Sequence, residues 1–408
     1  MRRITMIAAG ALIPILLLAG CSTPSGTGEA DQNTAGQATA TPLATTETTS
    51  SLAGAPQSTE EAAEVDWAAL PSTDVALTDS GLAITEAGTY VLTGTTTGAV
   101  TVDTDGAVRI VLDNATIDSS KGAAIEVVSA EVTVLELADG TENSVSDAAT
   151  RSDEEIDGAI YSADDLVITG TGTLKVDAGF ADGIVGKDDL WIESGTIEVT
   201  SVDDGIRGKD SLTVNGGTIT VDATGDAMKA SNDTDLSKGQ LTITSGDISI
   251  TTGDDAIKSE QALRISGGTI DITQSVEGIE APVIVIDGGD ITLNASDDGI
   301  NASTSEIITE GLGITINGGT LSVTMGQGDT DAIDSNGDLA IHGGTVSITA
   351  QSPFDFDGTG TLDGGTVTVN GEQVTELTNQ MMGPGGMGGG MGGGTGGAPG
   401  EGGGPGGR

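Results

Sequence analysis

The sequence predicts an all-β protein, a parallel β-helix with three faces and about 22 residues per coil. Three observations support this fold class: a short acidic element that returns at a regular interval, an alternating apolar triplet that follows it, and a glycine turn that leads into a second alternating stretch. A period of this length is the signature of a solenoid, in which each repeat stacks on its neighbours.

The acidic element consists of Asp or Glu, then Gly or Ala, then an apolar residue. Its members begin at Asp157, Asp182, Asp204, Asp226, Asp255, Glu277, Asp298 and Asp331. Most intervals lie near 22 residues, and the two longest contain the extra segments 232–239 and 304–313. Insertions at one corner of a solenoid project from the same side, so we expect both segments to wall a binding groove.

The residues between the acidic elements predict two further strands per period. Alternating triplets such as Leu190-Trp191-Ile192 and Leu212-Thr213-Val214 are typical of strands with one buried face. Turns such as Gly216-Gly217 precede the second alternation, because glycine permits the backbone of a tight corner. Since the three strands advance in one direction, each must pair with its equivalent one period later.

The alternation also assigns inner and outer faces within one coil. It places Ile206, Leu212, Val214, Ile219 and Val221 inside, and Arg207, Thr213 and Thr220 outside. A chain of antiparallel β-sandwich modules is the alternative fold, which the regular period disfavours. The nonapeptide Gly-Gly-x-Gly-x-Asp pattern of a calcium-filled β-roll is absent from the sequence.

The composition excludes several kinds of protein. Sixty-two acidic residues against 14 basic ones give a formal charge of −48, which argues against binding to nucleic acid. One histidine, His342, rules out a paired-histidine metal site, and one cysteine, Cys21, rules out an intramolecular disulfide.

The N-terminus is predicted to be a lipoprotein signal peptide, residues 1–20. Arg2 and Arg3 precede an apolar run, and the sequence Leu-Ala-Gly before Cys21 resembles the bacterial lipobox, in which the cysteine thiol is lipidated. An ordinary secretory signal is the alternative. In both cases the mature chain is extracytoplasmic, and a lipid on Cys21 would anchor it to the cell membrane at the cell surface.

The remaining chain divides by composition into three segments. Residues 21–64 are rich in Ser, Thr and Ala and predict a disordered tether. Residues 65–379 contain the repeats and predict the β-helix domain, and residues 380–408 predict a disordered tail rich in Gly and Met.

Stacked coils would bring the acidic elements into a column with carboxylates about 5 Å apart. Bare carboxylates repel at that distance, and Ca²⁺, which takes about six to eight oxygen ligands, can bridge them. Several Ca²⁺ ions are therefore the predicted cofactor. The alternative is that these acids are solvated corner residues, which explains single aspartates better than doubled ones such as Asp203-Asp204.

A column of basic residues follows the acids along the chain. It comprises Lys187, Arg207, Lys229 and Lys258, with Lys209 close by. The first four are candidate substrate-binding residues that, with Ca²⁺, would hold the carboxylates of an acidic polysaccharide. The alternative is that they only balance the acidic column, because exposed ion pairs contribute little.

These motifs resemble those of a known family. Residues 254–259, followed by the alternation of residues 263–272, and residues 297–301 are similar to the pectate-lyase-like carbohydrate-binding β-helix domain family of secreted bacterial proteins. The resemblance covers roughly residues 75–375. It implies a right-handed parallel β-helix, several bound calcium ions and affinity for acidic sugars such as polygalacturonate. The residues that match the calcium motif are Asp203, Asp204, Asp226, Asp254, Asp255, Asp297 and Asp298.

Three functions are compatible with these features. We favour a lipid-anchored protein that binds acidic polysaccharide and has no catalytic residues. The second is a calcium-dependent polysaccharide lyase, in which Arg207, Lys229 or Lys258 would abstract a proton from a uronate; such a base needs a lowered pKa, which surrounding aspartates oppose. The third is a structural or adhesin solenoid with no defined glycan.

Overall fold

The computed structural model describes residues 62, 64–326 and 330–379, which form an all-β structure of parallel strands. A 3₁₀ helix at Trp67–Ala69 precedes the first strand. Among the described residues, no helix is long and apolar enough to cross a membrane. Cys21, the predicted signal peptide, residues 21–61 of the predicted tether and the predicted tail lie outside the described residues.

The strands belong to two sheets, one of 12 and one of 24 strands. We call the 12-stranded sheet the first sheet. Its strands are β2 (Leu82–Ile84), β4 (Val100–Asp103), β6 (Ile125–Ser129), β9 (Gly158–Ser162), β12 (Asp182–Gly186), β15 (Ile206–Gly208), β18 (Met228–Ala230), β21 (Ile257–Ser259), β24 (Ile279–Glu280), β27 (Ile300–Ala302), β30 (Ile333–Ser335) and β33 (Asp355–Phe356).

The 24-stranded sheet contains two rows of strands, and each repeat adds one strand to each row. The first row is β7 (Thr133–Leu137), β10 (Leu166–Gly170), β13 (Asp189–Ile192), β16 (Ser211–Val214), β19 (Gln240–Ile243), β22 (Ala262–Ile265), β25 (Val283–Ile286), β28 (Gly313–Ile316), β31 (Asp338–Ile341) and β34 (Gly360–Leu362). The second row is β8 (Glu142–Ser146), β11 (Thr173–Ala178), β14 (Thr196–Ser201), β17 (Thr218–Ala223), β20 (Asp247–Thr252), β23 (Thr269–Gln274), β26 (Asp290–Ala295), β29 (Thr320–Met325), β32 (Thr345–Thr349) and β35 (Thr366–Val369).

Four more strands lie at the two ends of this sheet. The long strand β5 (Val108–Asp118) pairs with both β7 and β8 and so joins the rows. Strand β3 (Gly88–Thr96) pairs with β5, and β1 (Ser72–Ala76) pairs with β3. At the other end β36 (Glu372–Val374) pairs with β35, the one antiparallel strand pairing among the described residues.

The pairings confirm parallel stacking of successive repeats. Leu190 pairs with Leu212, and Leu212 pairs with Leu241, so equivalent residues meet although the second interval is longer. The extra residues lie in the connections between β18 and β19 and between β27 and β28. Parallel pairing throughout the repeats rules out antiparallel sandwich modules for the described chain.

The predicted inner residues form the core. Ile206, Leu212, Val214 and Ile219 have no exposed surface, and Val221 is 1% exposed. Thr220 is exposed, as predicted for the outer face. Thr213, also predicted to lie outside, is only 5% exposed. It pairs in register with Trp191, which belongs to a second apolar cluster together with Val65 and Trp67, so this outer face is less solvated than the sequence pattern indicates.

Candidate functional site

The acidic elements lead into the strands of the first sheet. The small residue after each acid has a steric cause. A Cβ atom added to Gly205 would lie 2.5 Å from the carbonyl oxygen of Ala227 and 2.4 Å from a methyl carbon of Val221. At Gly205 these neighbours leave no space for a Cβ atom, so this repeat requires glycine, whereas Ala227, Ala256 and Ala332 occupy the equivalent position in other repeats.

The acids form what we call the carboxylate ladder, which comprises Asp157, Asp182, Asp204, Asp226, Asp255, Glu277, Asp298 and Asp331. In five steps, the Oδ1 atom of one aspartate accepts a hydrogen bond from the backbone N–H of the next ladder residue. The N···O distances are 3.1 Å from Asp204 to Asp182, 2.9 Å from Asp226 to Asp204, 3.1 Å from Asp255 to Asp226, 3.3 Å from Glu277 to Asp255 and 3.0 Å from Asp331 to Asp298. Each of these aspartates thus joins two repeats, a structural role that sequence reasoning did not predict.

The two members of each doubled acid have different environments. Asp204 and Asp255 are buried, whereas Asp203, Asp254 and Asp297 are exposed. Carboxylate oxygens of Asp226, Asp254 and Asp255 lie within 4.8 Å of one another, as do those of Asp255, Glu277 and Glu280.

The structure therefore brings three of the seven candidate calcium ligands together. Among the described residues, no group of three such oxygens includes Asp203, Asp204, Asp297 or Asp298.

Three of the four candidate basic residues lie in the middle of strands of the first sheet, whereas Lys187 directly follows β12, where Val185 pairs in register with Arg207. Arg207, Lys229 and Lys258 are paired in register across β15, β18 and β21. Arg207 donates to Asp182 Oδ2 at 2.8 Å from Nε and also bonds Asp157.

Each of the two lysines in this row also contacts two carboxylates. Lys229 Nζ lies 2.6 Å from Asp226 and 3.8 Å from Asp204. Lys258 Nζ lies 2.7 Å from Asp255 and 2.5 Å from Glu280. The predicted charge balance between the two columns is therefore present in the structure.

These ion pairs make the lysines poor proton acceptors. Burial lowers the pKa of Lys229 and Lys258, but the neighbouring carboxylates outweigh burial and raise both above the ordinary lysine value. A general base needs the opposite shift. Burial of the carboxyl groups raises the pKa of Asp204 to about 6 and that of Asp255 to about 7. Repulsion by Asp226 contributes to both shifts, and repulsion by Asp182 contributes to that of Asp204.

The C-terminal part of the ladder lacks this compensation. No described Lys or Arg forms an ion pair with Asp298, Asp334 or Asp355. Asp334 pairs in register with Asn301 on one side and Asp355 on the other. The Oδ1 atoms of Asn301 and Asp355 are buried and accept no hydrogen bond. Burial and the surrounding carboxylates raise the pKa of Asp334 to about 7.

Two depressions border the row of basic residues. One, of about 380 Å³, lies between the inserted segments and is lined by Asp233, Lys258, Glu280 and Ser303. The other, of about 370 Å³, is lined by Asp182, Lys187, Asp203, Arg207, Lys209 and Lys229. The structure thus brings the candidate residues Lys187, Arg207 and Lys229 to one depression and places Lys258 in the other.

A further carboxylate cluster lies beside the start of the first row of the large sheet. Oxygens of Asp165, Asp188 and Asp189 lie within 4.8 Å of one another. A hydrogen bond with Asp210, together with burial, raises the pKa of Asp188 to about 6. Asp165 and Asp189 share one position, directly before the paired residues Leu166 and Leu190, in consecutive repeats. The sequence analysis considered only the acids before Gly or Ala and did not predict this second acidic position.

Asp188→Asn tests this contact. Because the folded-state pKa of Asp188 is raised, its contribution to stability is present near pH 4 and lost as the pH rises through about 6. Asparagine keeps a donor for Asp210 without a charge. We therefore expect the variant to melt at a higher temperature than the wild type at about pH 7.5, and at a similar temperature near pH 4. Asp271→Asn, which removes an exposed charge, is the control; an equal pH dependence of both variants would refute the assignment.

Residues 78–330 match the sequence profile of a family described as carbohydrate-binding domain-containing protein. The chain belongs to this family. The matched region contains the ladder from Asp157 to Asp298 and the whole row of basic residues. Asp331, Asp334 and Asp355 lie beyond it.

The chain is similar to two known proteins. A carbohydrate-binding domain-containing protein of Acetivibrio thermocellus is 39% identical over 124 residues, which is 28% of this chain and 43% of the relative. The chain thus matches less than half of that relative's length. The structure of a polysaccharide lyase-like protein from C. thermocellum, a gadolinium derivative, is similar with a TM-score of 0.42 and 24% identity, over 73% of this chain and 94% of that chain.

Proposed function

We propose that this protein is an extracytoplasmic, lipid-anchored carbohydrate-binding protein that holds an acidic polysaccharide resembling polygalacturonate. Membership of a carbohydrate-binding family supports a polysaccharide partner. The lipobox-like sequence before Cys21 supports the membrane anchor and a place at the cell surface. With a formal charge of −48 the chain is a poor candidate for binding nucleic acid.

We also propose that the strands form a right-handed, three-faced parallel β-helix. The register advances by one repeat at the parallel pairings of both sheets, which supports a continuous helical path. The right hand is supported by the strong general preference for right-handed crossovers between parallel strands.

The observation that carries the proposed function is the depression between Asp182 and Lys229. In a chain with only 14 basic residues, four of them, Lys187, Arg207, Lys209 and Lys229, line this one surface. Arg207 and Lys229 neutralise carboxylates of the ladder, and Lys187 and Lys209 supply positive charge for the carboxylates of an acidic sugar. Walls built from the inserted segments enclose the neighbouring depression.

Calcium is the proposed cofactor, held by Asp203, Asp204, Asp226, Asp254, Asp255, Asp297 and Asp298. The donor set fits a hard cation, because it consists of carboxylates and other oxygens. Lysine ammonium groups already lie on Asp226 and Asp255, so calcium would have to displace them there. No described Lys or Arg pairs with Asp297 or Asp298, but oxygens around these two residues would have to draw closer to share one ion.

Near Asp298, three residues outside the predicted set could supply further oxygens. They are Asn301, Asp334 and Asp355, and two of them carry buried oxygens that accept no hydrogen bond. Calcium bound there would neutralise carboxylates for which the described chain offers no basic partner.

Binding is favoured over lyase chemistry by the raised pKa of Lys229 and Lys258. The test is affinity electrophoresis of the full chain through gels that contain polygalacturonate, fully methyl-esterified polygalacturonate or no glycan, with calcium or with chelator. We expect calcium-dependent retardation in the acidic gel alone. Equal mobility in all gels would refute acidic-polysaccharide binding, and ultraviolet absorbance from unsaturated uronates would show a lyase.

A further inference from the structure

We propose that Lys187 and Lys209 form the subsite that binds the carboxylate of the sugar, an assignment that rests on the proposed function. The two lysines occupy equivalent corners of successive repeats. The backbone N–H of Lys187 donates to Ser162 and that of Lys209 donates to Gly186, both at 2.8 Å. Ser162 and Gly186 are themselves paired in register. The two backbones are therefore about 5 Å apart, and both ammonium groups can reach one carboxylate.

The other basic residues of the site form ion pairs with carboxylates of the protein. Arg207 is only 14% exposed in its side chain and neutralises Asp182, whose side chain is 3% exposed. Lys229 and Lys258 each contact two carboxylates. Moving any of these cations onto a ligand would leave a buried carboxylate without its partner, which is strongly unfavourable.

Lys187 and Lys209 do not neutralise a buried carboxylate. Lys209 is exposed, and within the described chain it forms no ion pair. Lys187 has one weak ion pair, in which its Nζ lies 4.0 Å from Asp157. Both line the 370 Å³ depression, where a ligand can reach them. They are therefore the basic residues of this surface that can bind a carboxylate without disrupting the ladder.

The next corner positions set the limit of the subsite. The backbone N–H of Ser231 donates to Gly208 at 3.1 Å, and that of Glu260 donates to Ala230 at 3.0 Å, so both continue the row of Lys187 and Lys209. The row thus changes from positive through neutral to negative. A carboxylate is attracted at the two lysines and repelled at Glu260, so the subsite ends at Ser231.

The test compares the Lys187→Gln/Lys209→Gln double variant of the full chain with the wild type by affinity electrophoresis in polygalacturonate and calcium. We expect binding at least about tenfold weaker, because two charge-assisted contacts to the ligand are lost. The melting temperature should change little, because the one ion pair that is broken, between Lys187 and Asp157 at 4.0 Å, is weak. Lys121→Gln/Lys175→Gln removes the same charge elsewhere and should bind as the wild type does. Ser231→Lys, which extends the positive row, should bind more tightly.

Three results would overturn the assignment. The first is an unchanged affinity of the Lys187→Gln/Lys209→Gln variant while the wild type binds, which leaves the proposed function standing. The second is equal wild-type affinity for the acid and for its methyl ester, because the carboxylate is then not recognised. The third is an absence of wild-type binding to any glycan, which removes the proposed function and the subsite with it.

Discussion

Arg207→Met is expected to destabilise the protein by about 3–5 kcal/mol, the cost of removing one partner of a buried ion pair. The guanidinium contacts Asp182 and Asp157, and the side chain of Asp182 is 3% exposed. Without Arg207 a buried charge on Asp182 has no partner, and burial already raises the pKa of this carboxyl. Chemical unfolding of the full chain measures the loss.

Two further variants show whether the buried charge is the cause. Lys175→Met breaks an ion pair whose side chains are 58% and 48% exposed, and it should cost at most about 1 kcal/mol. Adding Asp182→Asn to Arg207→Met removes the orphaned charge while its Oδ1 can still accept the Asp204 N–H, so it should recover much of the loss. A double variant no more stable than Arg207→Met would contradict this explanation.

Calcium is expected to raise the melting temperature substantially. A single site that binds only the folded state stabilises it by about 2.7 kcal/mol when free calcium exceeds Kd a hundredfold. The physical reason is the group of carboxylates at Asp298, Asp334 and Asp355, whose mutual repulsion a divalent ion removes. Thermal unfolding in millimolar calcium and in excess chelator measures the difference.

Variants show which carboxylates bind the calcium that raises the melting temperature. Asp334→Asn/Asp355→Asn should lose most of the stabilisation by calcium, whereas the exposed pair Asp271→Asn/Asp290→Asn should retain it. If Asp254→Asn abolishes the effect instead, the ion lies at the group of Asp226, Asp254 and Asp255. A melting temperature that is the same in calcium and in chelator would make the ladder a purely structural feature.

Much of the fold follows from the sequence because successive repeats carry one local pattern. The period near 22 residues predicts that Leu190, Leu212 and Leu241 meet in register, and the pairings confirm it. The alternation predicts that Ile206 and Val214 are buried, since side chains of a strand point alternately to its two faces.

The site could be predicted only in part, because its function depends on side-chain contacts between repeats. The sequence indicated a basic row beside an acidic column, but it did not show that Arg207 binds Asp157 from 50 residues earlier. Nor did it show that Asp204 bonds the Asp226 amide. Asp334 and Asp355 occupy the position that basic residues occupy in earlier repeats. The pattern of acidic and basic columns therefore did not indicate them as metal ligands.

The most direct test of this account is a calorimetric titration of the full chain with a defined oligogalacturonide, in calcium and in chelator. We expect saturable binding in calcium that weakens at least about tenfold in chelator. Identical affinity under both conditions would contradict the role of calcium, and the absence of heat in both would contradict the binding of acidic polysaccharide.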